Sequence, residues 1–198
     1  MSLELLTALV GFAFVSSITP GPNNLMLTAS GANFGFRRTI PHMLGISLGH
    51  AFMVTMVGLG LGRAFTAYPA LQAGLQIVAV GYLLFLAWKI ATAAPPRPGE
   101  TKGAPFTFLQ AAAFQWVNPK AWYMALTAVT QYSPDLPVFW AALFVACVFA
   151  VTNFPSITVW TLFGTQLRRL LTRPAWLRAF NWTMAVLLVL TLIPILRA

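Results

Sequence analysis

The chain has 198 residues, of which 59% are hydrophobic and 8% charged, against about 25% charged in an ordinary soluble domain. A water-facing surface cannot be assembled from that composition, and at ~20 apolar residues per crossing helix the length accommodates about six spans and no separate soluble domain. The formal charge of +9 is spread singly or in pairs beside apolar stretches, which fits membrane orientation and argues against a nucleic-acid surface.

The first apolar segment runs from Leu5 to Phe34. Met1-Ser2-Leu3-Glu4 before it carries an acid and no positive n-region, and no small-residue cleavage site follows, so the segment is expected to be retained rather than cleaved as a signal peptide. As one helix it would be ~45 Å long, too long for a hydrocarbon core of ~30 Å unless tilted or broken. Thr19-Pro20-Gly21-Pro22-Asn23-Asn24 predicts a break, because proline lacks an amide donor and clashes with the preceding turn. Two half-helices should meet near Thr19, with Pro22 in the first turn of the second.

After Gly35-Phe36-Arg37-Arg38 comes a second segment, Ile40 to Leu61, holding His42 and, deeper, His50. The two histidines fall about 80° apart around a helix. His50 is a candidate proton relay, with a satisfied packing role as the plainer reading. Gly31 and Gly35, Gly45 and Gly49, and Gly58 and Gly62 have the small-xxx-small spacing that permits close helix contact in lipid. Gly58 to Gly62 is not a nucleotide loop, since it follows no strand. A third segment runs from Pro69 to Ala91, and Pro95-Pro96-Arg97-Pro98-Gly99 punctuates the connection after it.

The fourth segment, Phe106 to Thr130, is broken at Trp116-Val117-Asn118-Pro119-Lys120, with Asn118 a plausible N-cap and Pro119 a plausible first helical residue. Pro119 lies 97 residues after Pro22, and the same offset places Gly58 opposite Pro155 and the loop at Arg37 opposite Pro134. The fifth segment, Val138 to Gln166, contains Asn153 and Pro155, a milder interruption that reads as a packing kink or a gating hinge. Its Cys147 is the only cysteine, which excludes an internal disulfide, and is expected to pack inside. The sixth segment is Ala179 to Leu196.

These segments predict an all-α integral membrane protein of six transmembrane helices, one domain over 1–198. Half one spans about 4–92 and half two about 105–197, joined by the loop 93–104. Three spans per half place the halves in opposite orientation, an inverted repeat with helices 1 and 4 broken at Pro, the arrangement in which transporters build a midplane substrate site. Nine basic residues (Arg37, Arg38, Lys89, Arg97, Lys102, Arg168, Arg169, Arg173 and Arg178) fall on one side and only Arg63 and Arg197 on the other. The positive-inside rule then puts loops one, three and five in the cytoplasm and both termini outside. A re-entrant rather than spanning Leu5 to Thr19 would move the N-terminus inside.

Lys120 is the one charge in the interior of a predicted span, where a lysine costs ~2.5 to 3.5 kcal/mol even on the lower insertion scales. At the start of a half-helix it adds to the partial positive charge of the helix N-terminus, and with the half-helix from Pro22 makes a site suited to a carboxylate. The competing reading has Lys120 snorkelling or binding carbonyls freed by the break. Pro20, Gly21, Pro22, Asn23, Asn24, Gln115, Asn118, Pro119 and Lys120 are the candidate substrate-binding set, and freed carbonyls around Ser17, Ile18 and Val117 could accept from an ammonium. His50, Asn153 and Pro155 are candidates for gating or proton relay.

All three acids, Glu4, Glu100 and Asp135, fall near segment ends or in loops, so a buried carboxylate relay is not expected. With two histidines and one cysteine no metal cluster, cofactor site or Ser/His/Asp arrangement is expected either, and the chain does not read as an enzyme.

Thr19 to Asn24, Gly31, Gly35-Phe36-Arg37-Arg38, and Gly45 with Gly49 resemble the N-terminal signature of the LysE/RhtB amino-acid exporters. Ala87-Trp88-Lys89 and Phe114 to Trp122, with Asn118-Pro119-Lys120-Ala121, resemble that family's later motifs, so the likeness covers the whole chain. The resemblance implies an inner-membrane exporter of amino acids or close derivatives, driven by an ion gradient, with a proton as the expected coupling ion. Family members export basic amino acids, homoserine and threonine, or cysteine and O-acetylserine. The missing intramembrane acid favours a neutral substrate over a basic amino acid or a heavy-metal cation, while a homo-oligomer is compatible with the sequence and not required by it.

Overall fold

Helix α1 (Leu3–Ile18) opens where Ser2 Oγ accepts from the Leu5 amide at 3.2 Å and Glu4 occupies the first turn, both favourable at a helix N-terminus. It stops where the chain becomes extended at Thr19 (φ −65°, ψ 145°) and Gly21 (φ −178°, ψ 177°). Pro22 then starts α2 (Pro22–Phe34), its fixed φ suiting a first helical position. The two helices bend by 53° at the break and together are long and apolar enough for one span. The computed structural model describes residues 1–93, 103–171 and 173–193. Pro95 to Gly99, Glu100, Lys102 and Arg197 lie outside the described residues.

Gly35, at φ +80°, turns α2 into α3 (Phe36–Met56). This glycine is needed for its backbone conformation, and a Cβ on it would also lie 3.3 Å from an Arg168 guanidinium nitrogen, on the helix that Gly31 approaches. A π-helical turn, Val57–Leu61, follows, kinked at Gly60 (φ +115°), and leads into α4 (Gly62–Ala67). Then come α5 (Pro69–Ala91) and α6 (Phe108–Phe114), the latter opened by a capping box between Thr107 and Gln110. A 3-10 turn at Gln115–Val117 precedes α7 (Pro119–Gln131), and α8 (Val138–Leu170) and α9 (Pro174–Leu190) complete the described chain. All of these elements are helical.

Among the described residues three helical stretches, Phe36–Leu61, Ala73–Ala91 and Val138–Leu170, are each long and apolar enough to cross a membrane, and the bent α1/α2 pair, a broken span or a re-entrant loop, brings the number to four if it is one span. The last helix begins earlier than read from the sequence, because Pro174 suits a first helical turn and tolerates the following Arg178 at the basic end. α8 runs unbroken through Pro155, so the interruption there is a proline inside a helix. Thr152 and Ser156 beside it return their hydroxyls to helix carbonyls at 2.8 and 3.1 Å. The Gly60 kink therefore has no counterpart in α8. Cys147 is exposed on α8 rather than packed inside.

α8 is the central post, packed along α1, α2 and α3, while α3 packs on α6 and α5 on α9. With lipid as apolar as leucine, such packing depends on close approach rather than on the hydrophobic effect. A Cβ on Gly31 would strike the Thr161 carbonyl of α8, and one on Gly164 the Thr28 carbonyl of α2. The two glycines thus allow the α2/α8 crossing reciprocally, as Gly45 and Gly49 do for α3 against Phe108 and Ala112 of α6. One buried cluster gathers Met26, Met43, Ile46, Leu86 and Phe114, and another Leu9, Met53, Met124, Val145 and Phe149. Large apolar side chains such as Phe52, Ile77, Trp88, Val151 and Trp182 point outward.

The α2/α3 corner with Arg37 and Arg38, the end of α5 with Lys89, and the α8/α9 corner with Arg168 and Arg173 come together at one end. Arg38 donates to the Gly103 carbonyl at 3.3 Å there, and Asn181 of α9 donates to the Ala93 carbonyl at 3.2 Å.

Candidate functional site

A helix that stops in an apolar setting leaves the carbonyls of its last turn without partners. Beyond α1 they are taken by side chains from α2, α7 and α8. Asn24 Nδ2 donates to the Ser17 and Thr19 carbonyls, both at 2.8 Å, and Trp160 Nε1 donates to the Ile18 carbonyl at 2.9 Å. Lys120 Nζ reaches the Thr19 carbonyl at 2.7 Å, Thr19 Oγ1 at 2.9 Å and the Pro20 carbonyl at 3.2 Å. The ammonium sits at the negative end of the α1 dipole, and its three donors have acceptors. In this conformation Lys120 therefore binds the carbonyls freed by the break, and those carbonyls are not open to a guest ammonium.

The second break faces the first. Asn118 is extended (φ −92°, ψ 108°) and its side chain accepts from the Lys120 amide at 3.2 Å, with Pro119 next in the first helical position. Gln115 and Asn23 exchange hydrogen bonds at 2.9 and 3.1 Å, and Gln115 Nε2 also donates to the Ala111 carbonyl at 2.9 Å. The Lys120 stem crosses Gly21, where a Cβ would lie 2.8 Å from Lys120 Cδ. Gly21 leaves room for that stem; its backbone is one any residue can adopt.

Between the breaks lies a cavity of about 20 Å³, with Ser17, Asn24, His50, Gln115, Lys120 and Asn153 in its wall, room for about one water. Two buried polar atoms at this wall, Ser17 Oγ and His50 Nδ1, have no hydrogen-bond partner, and Asn153 makes no hydrogen bond to another described residue. The other His50 nitrogen lies 3.3 Å from the Ala121 carbonyl, and the ring packs edge-on to Phe149. Pro155 is exposed on α8 and does not reach the cavity. Pro20, Pro22 and Pro119 shape the two breaks. Among the described residues no group of His, Cys, Asp or Glu could hold a metal ion.

The sequence reading missed three contributors: the Thr19 hydroxyl, the Ser17 hydroxyl and Trp160. Ser17 and Thr19 adjoin the break, which was a usable signal. Trp160 sits in an uninterrupted apolar helix, and nothing local ties it to Ile18.

Comparison with known proteins gives one family match, to the LysE type translocators, over residues 14–193. Proteins named cysteine/O-acetylserine efflux protein from Escherichia coli strain K12 and Shigella sonnei strain Ss046 are each 30% identical over 193 residues, covering 96% of this chain and 96% of theirs. No solved structure matches.

Proposed function

Since the chain belongs to the LysE type translocators and is an amino-acid efflux transporter of the membrane, not an enzyme, we propose that it exports small neutral amino acids of the cysteine or O-acetylserine kind. The relatives' names and a central cavity wall without an acid support that substrate class. In this reading six spans form two inverted halves in the inner membrane, the basic end faces the cytoplasm, both termini face outward, and alternating access is coupled to protons.

The observation that carries the proposal is the meeting of the two breaks around a cavity whose wall holds Ser17 Oγ and His50 Nδ1 without partners, with the Asn153 side chain beside them. Leaving a buried polar group unsatisfied costs about 1–3 kcal/mol, and buried groups are nearly always bonded, so this wall awaits a polar guest. At about 20 Å³ the cavity is too small for an amino acid, and substrate must displace the contacts that narrow it. A zwitterion can do so by exchange. Its carboxylate takes Lys120 Nζ and the α7 N-terminus, its ammonium takes the Ser17 and Thr19 carbonyls released by Asn24 and Lys120, and the Asn23/Gln115 pair opens to admit it. Lys120 Nζ and the Ser17 and Thr19 carbonyls thereby keep charge-assisted partners in the loaded state, which lowers the cost of releasing them. His50 is placed to follow proton movement at the cavity wall.

The test is uptake of a panel of labelled amino acids into everted vesicles under an imposed proton gradient. Neutral short-chain amino acids should accumulate and lysine should not. Accumulation of none, with protein present in the membrane, defeats the proposal.

A further inference from the structure

A second, larger cavity of about 290 Å³ lies at the basic end, between α2, the last turn of α5 and the stretch 103–106. Its size is at the lower edge of small-molecule pockets, and the central site does not use it. Four polar side chains line it: the exposed Lys89, Ser30, Asn33, and Thr92, whose hydroxyl donates to the Trp88 carbonyl at 2.8 Å. Lys89 Nζ stands 5.0 Å over the Phe106 ring, and no carboxylate lies within ion-pair distance of it among the described residues. A ring face attracts an ammonium without neutralising it. Ser30 and Asn33 of α2 line the same cavity, both buried. Asn33 Oδ1 accepts one bond, from Asn181 at 3.2 Å, where an amide oxygen can accept two. Among the described residues Ser30 Oγ is engaged only with Thr39 Oγ1, at 3.0 Å.

The cavity is tied to the central site through α2. Asn23, Met26, Ser30 and Asn33 follow i, i+3, i+7, i+10 spacing and fall within about 80° of the helix circumference. One stripe therefore runs from the break to this cavity over ~15 Å. Met26, 2% exposed, lies on the stripe between the two and lines the larger cavity. An unbranched, flexible thioether is a barrier that can move aside.

We propose that this cavity is a separate admission site, which takes a zwitterionic amino acid from the basic end with its carboxylate at Lys89 and its ammonium at Asn33 Oδ1 and Ser30 Oγ, before it passes Met26 to the breaks. The inference rests on the transporter reading above. It predicts a one-sided kinetic effect. With labelled O-acetyl-L-serine, Lys89→Gln should raise KM about tenfold, as for one lost charge contact, when substrate meets the basic end in everted vesicles. KM from the opposite face and Vmax should not change, and Lys89→Arg should restore the low KM. An unchanged KM, or an equal change from both faces, overturns the admission site while leaving export intact. Absence of any amino-acid transport by the unaltered protein removes the reading on which it rests.

A second measurement does not depend on transport. Ala104 is exposed at the cavity wall. In purified Cys147→Ala/Ala104→Cys protein in phosphatidylcholine liposomes, O-acetyl-L-serine should slow maleimide alkylation of the introduced thiol, and Lys89→Gln should abolish that protection. No protection, or protection by added phosphatidylglycerol instead of the amino acid, assigns Lys89 to a lipid headgroup or to no ligand and refutes the site.

Discussion

Replacing Lys120 by Met keeps the length of the stem across Gly21 and removes only the ammonium. That ammonium makes three contacts, at 2.7, 2.9 and 3.2 Å, to Thr19 and Pro20 on the far side of the break. Lys120 is half-buried, so each charge-assisted contact is discounted to about 1 kcal/mol for partial solvent access. The clamp then amounts to about 3 kcal/mol, or roughly 150-fold in the ratio of clamped to released break. Because the same ammonium is assigned to the substrate carboxylate, Lys120→Met should lose both the clamp and the anion contact. The assay is initial uptake of labelled O-acetyl-L-serine into everted vesicles at matched protein level, with Lys120→Arg alongside. Uptake should fall at least about 100-fold in the Met variant and less in the Arg variant, which keeps the charge. Uptake by Lys120→Met within about twofold of the unaltered protein would refute the carboxylate role.

Gly21→Ala places a Cβ 2.8 Å from Lys120 Cδ, and a flexible stem can move away, so folding in detergent should be kept while export drops about tenfold, a contact worth ~1.4 kcal/mol; normal export would show that the stem need not cross there. Gly164→Val drives a side chain into the Thr28 backbone, which cannot yield, so the cost should reach or exceed the ~3 kcal/mol end of overpacking and the protein should be lost from the membrane. Gly11→Ala, with open space around it, should instead be neutral or stabilising by up to ~1 kcal/mol; immunoblots and thermal unfolding in detergent check both. A double-mutant cycle of Asn33→Leu and Asn181→Leu, whose amides pair at 2.9 and 3.2 Å, should give a coupling of ~0.6 to 1.7 kcal/mol in thermal unfolding, the range for hydrogen bonds between membrane helices; zero coupling would deny that the pair joins α2 to α9.

The breaks at Thr19–Pro22 and Asn118–Pro119 were legible from the residues alone because proline acts locally: it removes an amide and sets its own φ whatever surrounds it. The cap at Asn118, the first-turn positions of Pro22 and Pro119, and the apolar character of the segments are local in the same sense. So is the concentration of basic residues in alternate loops. Glycine was legible only in part, since its identity does not say whether it serves a turn, as Gly35 does, or a contact, as Gly31 does.

What joins the two breaks is not local. Lys120 and Thr19 are 101 residues apart, Gln115 and Asn23 are 92 apart, and Trp160 and Ile18 are 142 apart. No periodicity records such pairings, because they depend on how α1, α2 and α7 cross α8 once the small residues let the backbones touch. Sequence alone determined that the chain is a lipid-embedded bundle with two broken helices and one cation at the second break. Tertiary packing alone decided that the cation holds the carbonyls freed by the first break, that Ser17, His50 and Asn153 face one small cavity, and that a second cavity stands behind Lys89. The reason is that burial makes every unsatisfied polar group costly, and which partner relieves it is settled only when distant helices meet.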